Sequence, residues 1–147
     1  MSPKILVLSS LLAVSAPAFA RQPVPCPCEA ERTQLVAFRD RIANAESPEA
    51  AREMALSQTR LGHKAIKQAA RLVSNDPGIA EADARLSAFE EGVNAAQTQE
   101  QVAAQFDQVI AQHTGMNCAY TTVEVVVIII GFLLGILPGI LFLFLFC

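Results

Sequence analysis

Tryptophan is absent from the sequence, tyrosine occurs once and histidine occurs twice. Because Trp and Tyr are scarce, a folded domain of this chain must build its core mainly from aliphatic residues, phenylalanine and alanine. Neither His63 nor His113 lies in a C-x-x-C-H or Glu-x-x-His pattern, which excludes covalent haem and di-iron sites of those types. The only candidate pair of haem ligands is Met54 with His113. For both histidines, however, we favour an ordinary surface or helix-capping role. We expect no cofactor and no metal.

The motifs of common active sites are also missing from the sequence. It has no G-x-S-x-G elbow and no glycine-rich loop between a strand and a helix, and its carboxylates are scattered along polar helix faces. These absences argue against an enzyme. The formal net charge of −3 argues against nucleic acid as a partner.

What the sequence does contain begins with an export signal. Lys4 precedes an apolar run over residues 5–14, and small residues stand at Ala18 and Ala20, the pattern of a secretory signal peptide that is cleaved after Ala20. About ten apolar residues are too few to cross a bilayer, so this run is not itself an anchor. We assign residues 1–20 to the signal peptide and expect the rest of the chain to be exported.

Four amphipathic helices are predicted between residues 29 and 114. The stretch "RQPVPCPC" at 21–28 contains three prolines and is typical of an extended spacer. After it, breaks at "SPEA" and "NDPG" place Ser47 and Asp76 as helix caps, each followed by a proline, and "TQEQ" opens a fourth helix. Since short loops favour antiparallel neighbours, we predict an all-α fold, a small antiparallel four-helix bundle or two helical hairpins.

The predicted apolar faces differ in quality. Helix one presents Leu35, Phe38 and Ile42 at steps of three and four. Helix three has the most regular seam, formed by Ile79, Ala82, Leu86, Phe89, Val93 and Ala96. Helix two has the weakest face, for which we predict Met54, Leu61, Ala65 and Leu72.

Cysteine positions predict one crosslink. An even number of antiparallel helices brings the chain back to the end of the bundle where it began, so Cys118 lies near Cys26 and Cys28, and we expect it to pair with one of them. The cysteine left over serves an intermolecular disulfide or a reactive thiol pair. Redox catalysis and metal binding are weaker alternatives, because neither a C-x-x-C spacing nor a strand is present. Cys147 is expected on the far side of the membrane.

Charge divides the predicted bundle into two halves. Residues 21–74 hold nine basic and six acidic residues, whereas residues 75–122 hold seven acidic residues and a single basic one, Arg85. Four cations of helix two share one face and are called the basic stripe: Arg60, Lys64, Lys67 and Arg71. Pairing with acidic side chains of helix three, or plain solvation, is the simpler interpretation. The functional alternative is a docking face for acidic lipid headgroups or an acidic protein.

The longest apolar run follows the bundle. Residues 125–147 carry no charge, and a continuous helix of that length measures roughly 34 Å, enough to cross a bilayer core. We predict a transmembrane helix over residues 123–147, joined to the bundle by a juxtamembrane linker at 115–122. Its predicted packing site for another membrane helix is a glycine face with a kinking proline: Gly131, Gly135, Gly139 and Pro138. The alternative is that these glycines and the proline have no packing role, because both glycine and proline are common in membrane helices.

These segments together predict a single-pass protein of the inner membrane. The ectodomain of residues 29–114 is then periplasmic and Cys147 is cytoplasmic; a GPI-type tail is the alternative, although its polar spacer is short here. We expect a non-enzymatic scaffold or accessory subunit of a membrane complex, in contact with lipid and with a protein partner or a second copy. A small oligomeric pore or lysis protein is the alternative function, and a cofactor-binding bundle is the third.

Overall fold

The computed structural model describes residues 28–111 and 119–147, and all regular secondary structure within these two ranges is α-helical. The helices are α1 (Cys28–Ala43), α2 (Pro48–Leu72), α3 (Pro77–Ala95), α4 (Gln99–Ala111), α5 (Thr122–Leu134) and α6 (Ile136–Leu145). The all-α prediction is confirmed. Helices α1 to α4 lie where the four helices were predicted, and α5 and α6 occupy the segment where one continuous helix was predicted.

Side-chain caps explain where the second and third helices begin. The Ser47 hydroxyl accepts a hydrogen bond from the Ala50 N–H at 3.0 Å, and the Asp76 carboxylate accepts one from the Gly78 N–H at 2.8 Å. In each case proline opens the helix, where its missing N–H leaves no hydrogen bond unmade. The two predicted caps are confirmed.

The core of the first four helices is centred on phenylalanine. Phe106 of α4 meets Phe38 and Phe89 edge to face, with ring centroids 5.5 and 5.0 Å apart. Leu35 and Ile42 on α1, and Leu86 on α3, are almost completely buried beside them. The predicted faces of α1 and α3 are therefore confirmed at these positions. Edge-to-face aromatic pairs also stabilise the core beyond what the buried area alone contributes.

The predicted face of α2 is wrong in part. Leu72 is 72% exposed, and the buried face consists mainly of small residues instead: Ala51, Ala55, Thr59, Gly62, Ala65, Ile66 and Ala69. A Cβ atom added to Gly62 would lie 2.8 Å from Leu86 and 3.0 Å from Phe142. Helix α2 thus packs closely because its neighbours supply the large side chains, an arrangement that a search for large apolar residues at helical spacing does not detect.

The apolar tail folds back on itself at Gly135. This residue has an extended backbone, φ 168° and ψ 152°, and separates α5 from α6. Pro138 lies in the first turn of α6; in an uninterrupted helix its ring would clash with the carbonyl of Leu134. The sequence predicts a kink near this proline, and the structure has a complete break three residues earlier. Among the described helices, none is both long enough and apolar enough to span a membrane.

Helix α6 occupies the interior of the body. Ile140, Leu141 and Phe142 are at most 2% exposed, and α6 packs against α1, α2, α4 and α5. The tail therefore completes the core that the first four helices leave thin.

Candidate functional site

The four residues of the predicted membrane packing site lie in the hairpin formed by α5 and α6. Gly131 and Gly139 face one another across it: a Cβ added to Gly131 would lie 3.1 Å from Gly139 Cα and 2.9 Å from the Phe142 ring. Gly135 forms the turn, and Pro138 is buried in α6. The close approach that these glycines permit is thus made between two helices of the same chain.

Polar contacts hold the open end of this hairpin. The Tyr120 hydroxyl donates a 2.8 Å hydrogen bond to the Leu143 carbonyl, which joins the start of α5 to the end of α6. Burial, with a smaller contribution from the Glu124 charge, raises the pKa of Tyr120. Thr121 and Glu124 form a reciprocal capping box, with the Thr121 N–H donating to the Glu124 carboxylate at 2.7 Å.

Arg85 connects this end of the hairpin to α3. Its guanidinium donates a 2.6 Å bond to Glu81, lies 3.8 Å from the carboxylate of Glu124, and approaches the Phe146 carbonyl at 3.5 Å. The Glu124 side chain is only 13% exposed, so its charge needs a nearby cation. Arg85 was recognisable in the sequence as the lone cation of the acidic half. Its contact with the hairpin was not, because the tail was assigned to the membrane.

Much of the outward side of the hairpin is apolar and exposed. Four residues of α5 and the first residue of α6 form this surface, which we call the hairpin face: Val125, Ile129, Phe132, Leu133 and Ile136. The α5 members recur at steps of three, four or one, so they share one side of that helix. Leu133 is the most exposed at 81%. Contiguous apolar surface of this kind is typical of an interaction site.

The basic stripe lies on the outside of α2. Arg60 pairs with Glu53 on the same helix. Lys64, Lys67 and Arg71 are exposed and form no ion pair with any side chain of residues 28–111 or 119–147. Three cations of the stripe therefore remain available to an anionic surface.

The acidic residues expected opposite the stripe contact a histidine instead. His63 Nδ1 lies 3.0 Å from the Asp83 carboxylate and its Nε2 lies 2.8 Å from the Glu90 carboxylate. Both contacts join α2 to α3, and the His63 side chain is 28% exposed. This is a structural clamp at the helix interface, in keeping with the ordinary role expected for His63.

The hairpin face and the basic stripe are neighbours on the surface. A Cβ on Gly135 would lie 4.0 Å from Leu61 in the middle of α2, and one on Gly78, just beyond the end of α2, would lie 3.2 Å from Val123. Helix α5 therefore runs antiparallel to the second half of α2. Lys64 is three residues beyond Leu61, and residues at that spacing are adjacent on a helix surface.

The cysteines are only partly described. Cys26 and Cys118, like His113, lie outside the described residues, so the predicted pairing of Cys118 with Cys26 or Cys28 stays a prediction. Cys147, however, is disulfide-bonded. The expectation that Cys147 lies beyond reach of the other cysteines is wrong, because the tail turns back at Gly135 and returns its end to the body.

No cluster of metal-ligating side chains occurs within residues 28–111 and 119–147. A shallow groove of about 500 Å³ lies between α3, α4 and the end of the hairpin; Arg85, Gln105 and Gln108 are among the residues that line it. Met54, the other haem-ligand candidate, is half-buried on α2. Comparison of the chain with protein-family models, with curated proteins and with solved structures gives no match.

Proposed function

We propose that this protein is an exported, membrane-associated helical module that acts as a non-enzymatic accessory or scaffold subunit at the periplasmic surface of the inner membrane. One observation carries the proposal: the uncharged segment 125–147 forms a hairpin whose outward face is left uncovered. The export signal at residues 1–20 supports the location.

The size of the hairpin face is sufficient for membrane binding. Complete burial of a valine, leucine, isoleucine or phenylalanine side chain contributes about 1.5–3 kcal/mol. The five members are between 38% and 81% exposed. Transfer of the whole face from water to an apolar environment is therefore favourable by roughly 5 kcal/mol.

A single crossing by residues 123–147 and a surface-bound hairpin are two arrangements of the same segment. Extraction of native membranes with alkaline carbonate separates them: a continuous span stays with the bilayer, whereas a surface-bound hairpin is released. Leu133→Glu should shift the protein to the soluble fraction only in the second arrangement, because there Leu133 lies at the point of contact. Val36→Glu, on an exposed position of α1, is the control and should not change the distribution.

The subunit role is tested by photo-cross-linking from a reactive amino acid placed at Leu133. A discrete protein adduct, of this chain with a partner or with a second copy, is the expected product. If Leu133 yields lipid adducts alone, the protein binds the membrane without being part of a complex, and the accessory-subunit role is refuted.

A pore or lysis function is the second candidate, and the hairpin itself favours it. A pair of helices whose one charge, Glu124, lies at the end opposite the turn is able to enter a bilayer tip first, provided that α6 leaves the core. Release of a vesicle-entrapped dye measures this function. The pore function is supported if the protein releases the dye, if Gly135→Leu abolishes that release, and if hydrogen exchange shows that α6 becomes exposed on binding. It is refuted if vesicles stay intact at saturating protein.

A further inference from the structure

We propose that the oxidised protein is monotopic: it rests on an anionic leaflet through the hairpin face and the basic stripe together, with Cys147 held on the same side of the bilayer as the helical body. This inference rests on the proposed membrane association and adds its orientation and its lipid preference.

The first argument is length. Helix α5 has 13 residues and α6 has 10, which at about 1.5 Å per residue gives roughly 20 and 15 Å. The hydrocarbon core of a bilayer is about 30 Å thick. Neither helix of the hairpin is long enough to cross the bilayer, and because α6 lies inside the body, only the hairpin face, with Leu133 and Ile136 at its tip, is free to enter one leaflet.

The second argument is the disulfide at Cys147. The three other cysteines of the chain, at positions 26, 28 and 118, all precede the hairpin in the sequence. A single crossing of the bilayer by residues 123–147 would place Cys147 and its partner on opposite sides. Because Cys147 is bonded, the segment must enter and leave on one side.

The third argument is charge. Lys64 lies one helical turn from Leu61, which contacts the hairpin turn. Lys67 and Arg71 continue the stripe toward the end of α2, where Lys67 borders the groove between α2 and α3. Helices α2 and α5 pack against each other, and the buried side of each faces the core. Their exposed sides are therefore adjacent on the protein surface. An apolar face bordered by unpaired cations fits a leaflet with anionic headgroups, whose attraction for a nearby lysine or arginine corresponds to about fivefold in affinity per residue.

Contact by the tip is tested with a single introduced tryptophan, since the chain has none. Leu133→Trp in the full mature chain should show a blue-shifted emission with vesicles that contain phosphatidylglycerol, and quenching by bromines placed near the headgroups. The control is Val36→Trp, on an exposed site of α1. Equal quenching at both positions, or quenching at neither, overturns the inference.

The part played by charge is tested with Lys64→Glu and Lys67→Glu combined. Reversal of two charges should weaken binding to phosphatidylglycerol vesicles by at least about 25-fold, and added salt should diminish the difference. Arg32→Glu with Arg41→Glu, on exposed positions of α1, controls for net charge. Binding that is equally strong to purely zwitterionic vesicles leaves membrane association intact and overturns the lipid preference; absence of binding to any vesicle overturns the proposed function as well.

The side of the membrane on which Cys147 lies is tested in spheroplasts. A membrane-impermeant phosphine reductant followed by an impermeant maleimide should label the C-terminal chymotryptic peptide without lysis. Labelling only after lysis would place Cys147 in the cytoplasm and overturn the monotopic arrangement, whatever the vesicle experiments show.

Discussion

Replacement of Gly131 by alanine should destabilise the folded protein, although alanine is the better helix former. Gly131 is buried where α5 meets α6, and its added Cβ would lie 3.1 Å from the Cα and 3.2 Å from the N of Gly139. Both are backbone atoms, so relief requires the two helices to move apart. The Phe142 ring, 2.9 Å from the same Cβ, is itself fixed in the core.

The expected magnitude follows from two opposing effects. An alanine in a helix interior stabilises by about 1 kcal/mol relative to glycine. Overpacking a well-filled core costs about 1–3 kcal/mol. The rigid backbone neighbour places Gly131→Ala in the upper part of that range, so we expect a net loss of roughly 1–2 kcal/mol.

The matched control is Gly92→Ala on α3. There the new Cβ would meet the amide end of Gln105, a flexible side chain beside an open groove of about 260 Å³. Gln105 can rotate away, so the gain in helix propensity remains and the variant should be neutral or stabilised by up to about 1 kcal/mol. Urea unfolding of the oxidised protein, followed by far-ultraviolet circular dichroism, measures the stability of both variants. A Gly131→Ala protein as stable as Gly92→Ala would refute the intramolecular hairpin and favour a continuous, separate helix.

Three further changes test other contacts. Arg39→Gln breaks the two 2.8 Å hydrogen bonds that join Arg39 to Asp107, whose carboxylate raises the arginine pKa; partial exposure limits the expected loss to about 1 kcal/mol, measured by a double-mutant cycle. Tyr120→Phe removes the bond to Leu143 and should cost about 1 kcal/mol by urea unfolding. Because the folded state raises the pKa of Tyr120, the stability that this phenol contributes is complete below pH 10.0 and is lost as the pH rises further, so Tyr120→Phe should flatten the alkaline limb of a stability–pH curve. Asp76→Ala removes a helix cap and should lower the unfolding free energy by about 1 kcal/mol, whereas Asp76→Asn should retain most of it.

The sequence was sufficient where large side chains repeat with a helical period. Leu35 and Phe38 on α1, and Leu86 and Phe89 on α3, were assigned to the core from spacing alone. The same search for large apolar residues failed on α2, where Leu72 is exposed to solvent and alanines are buried. Small residues are buried there only because large neighbours fill the space, as Phe142 does beside Gly62, and that neighbour comes from a distant part of the chain.

Hydropathy alone also could not decide whether the tail crosses a membrane or packs in the protein core. An uncharged helix is compatible with a bilayer and with the interior of a protein, since both are apolar, and the difference depends on what else packs there. A kink was predicted at Pro138, and Gly135 was assigned to a packing face, but a kink and a reversal have the same local signal. The hairpin face was missed for the same reason, because the whole tail was assigned to one membrane-spanning helix.

The central position of α6 affects the order in which the protein matures. Helix α6 follows the other five in the chain, so it is the last of them to leave the ribosome. Until it arrives, Gly62 lacks the Phe142 ring that packs beside it. The contact of α6 with α1 joins the two ends of the described chain, and such distant contacts form slowly. The core of the body is therefore completed only after α6 has been synthesised.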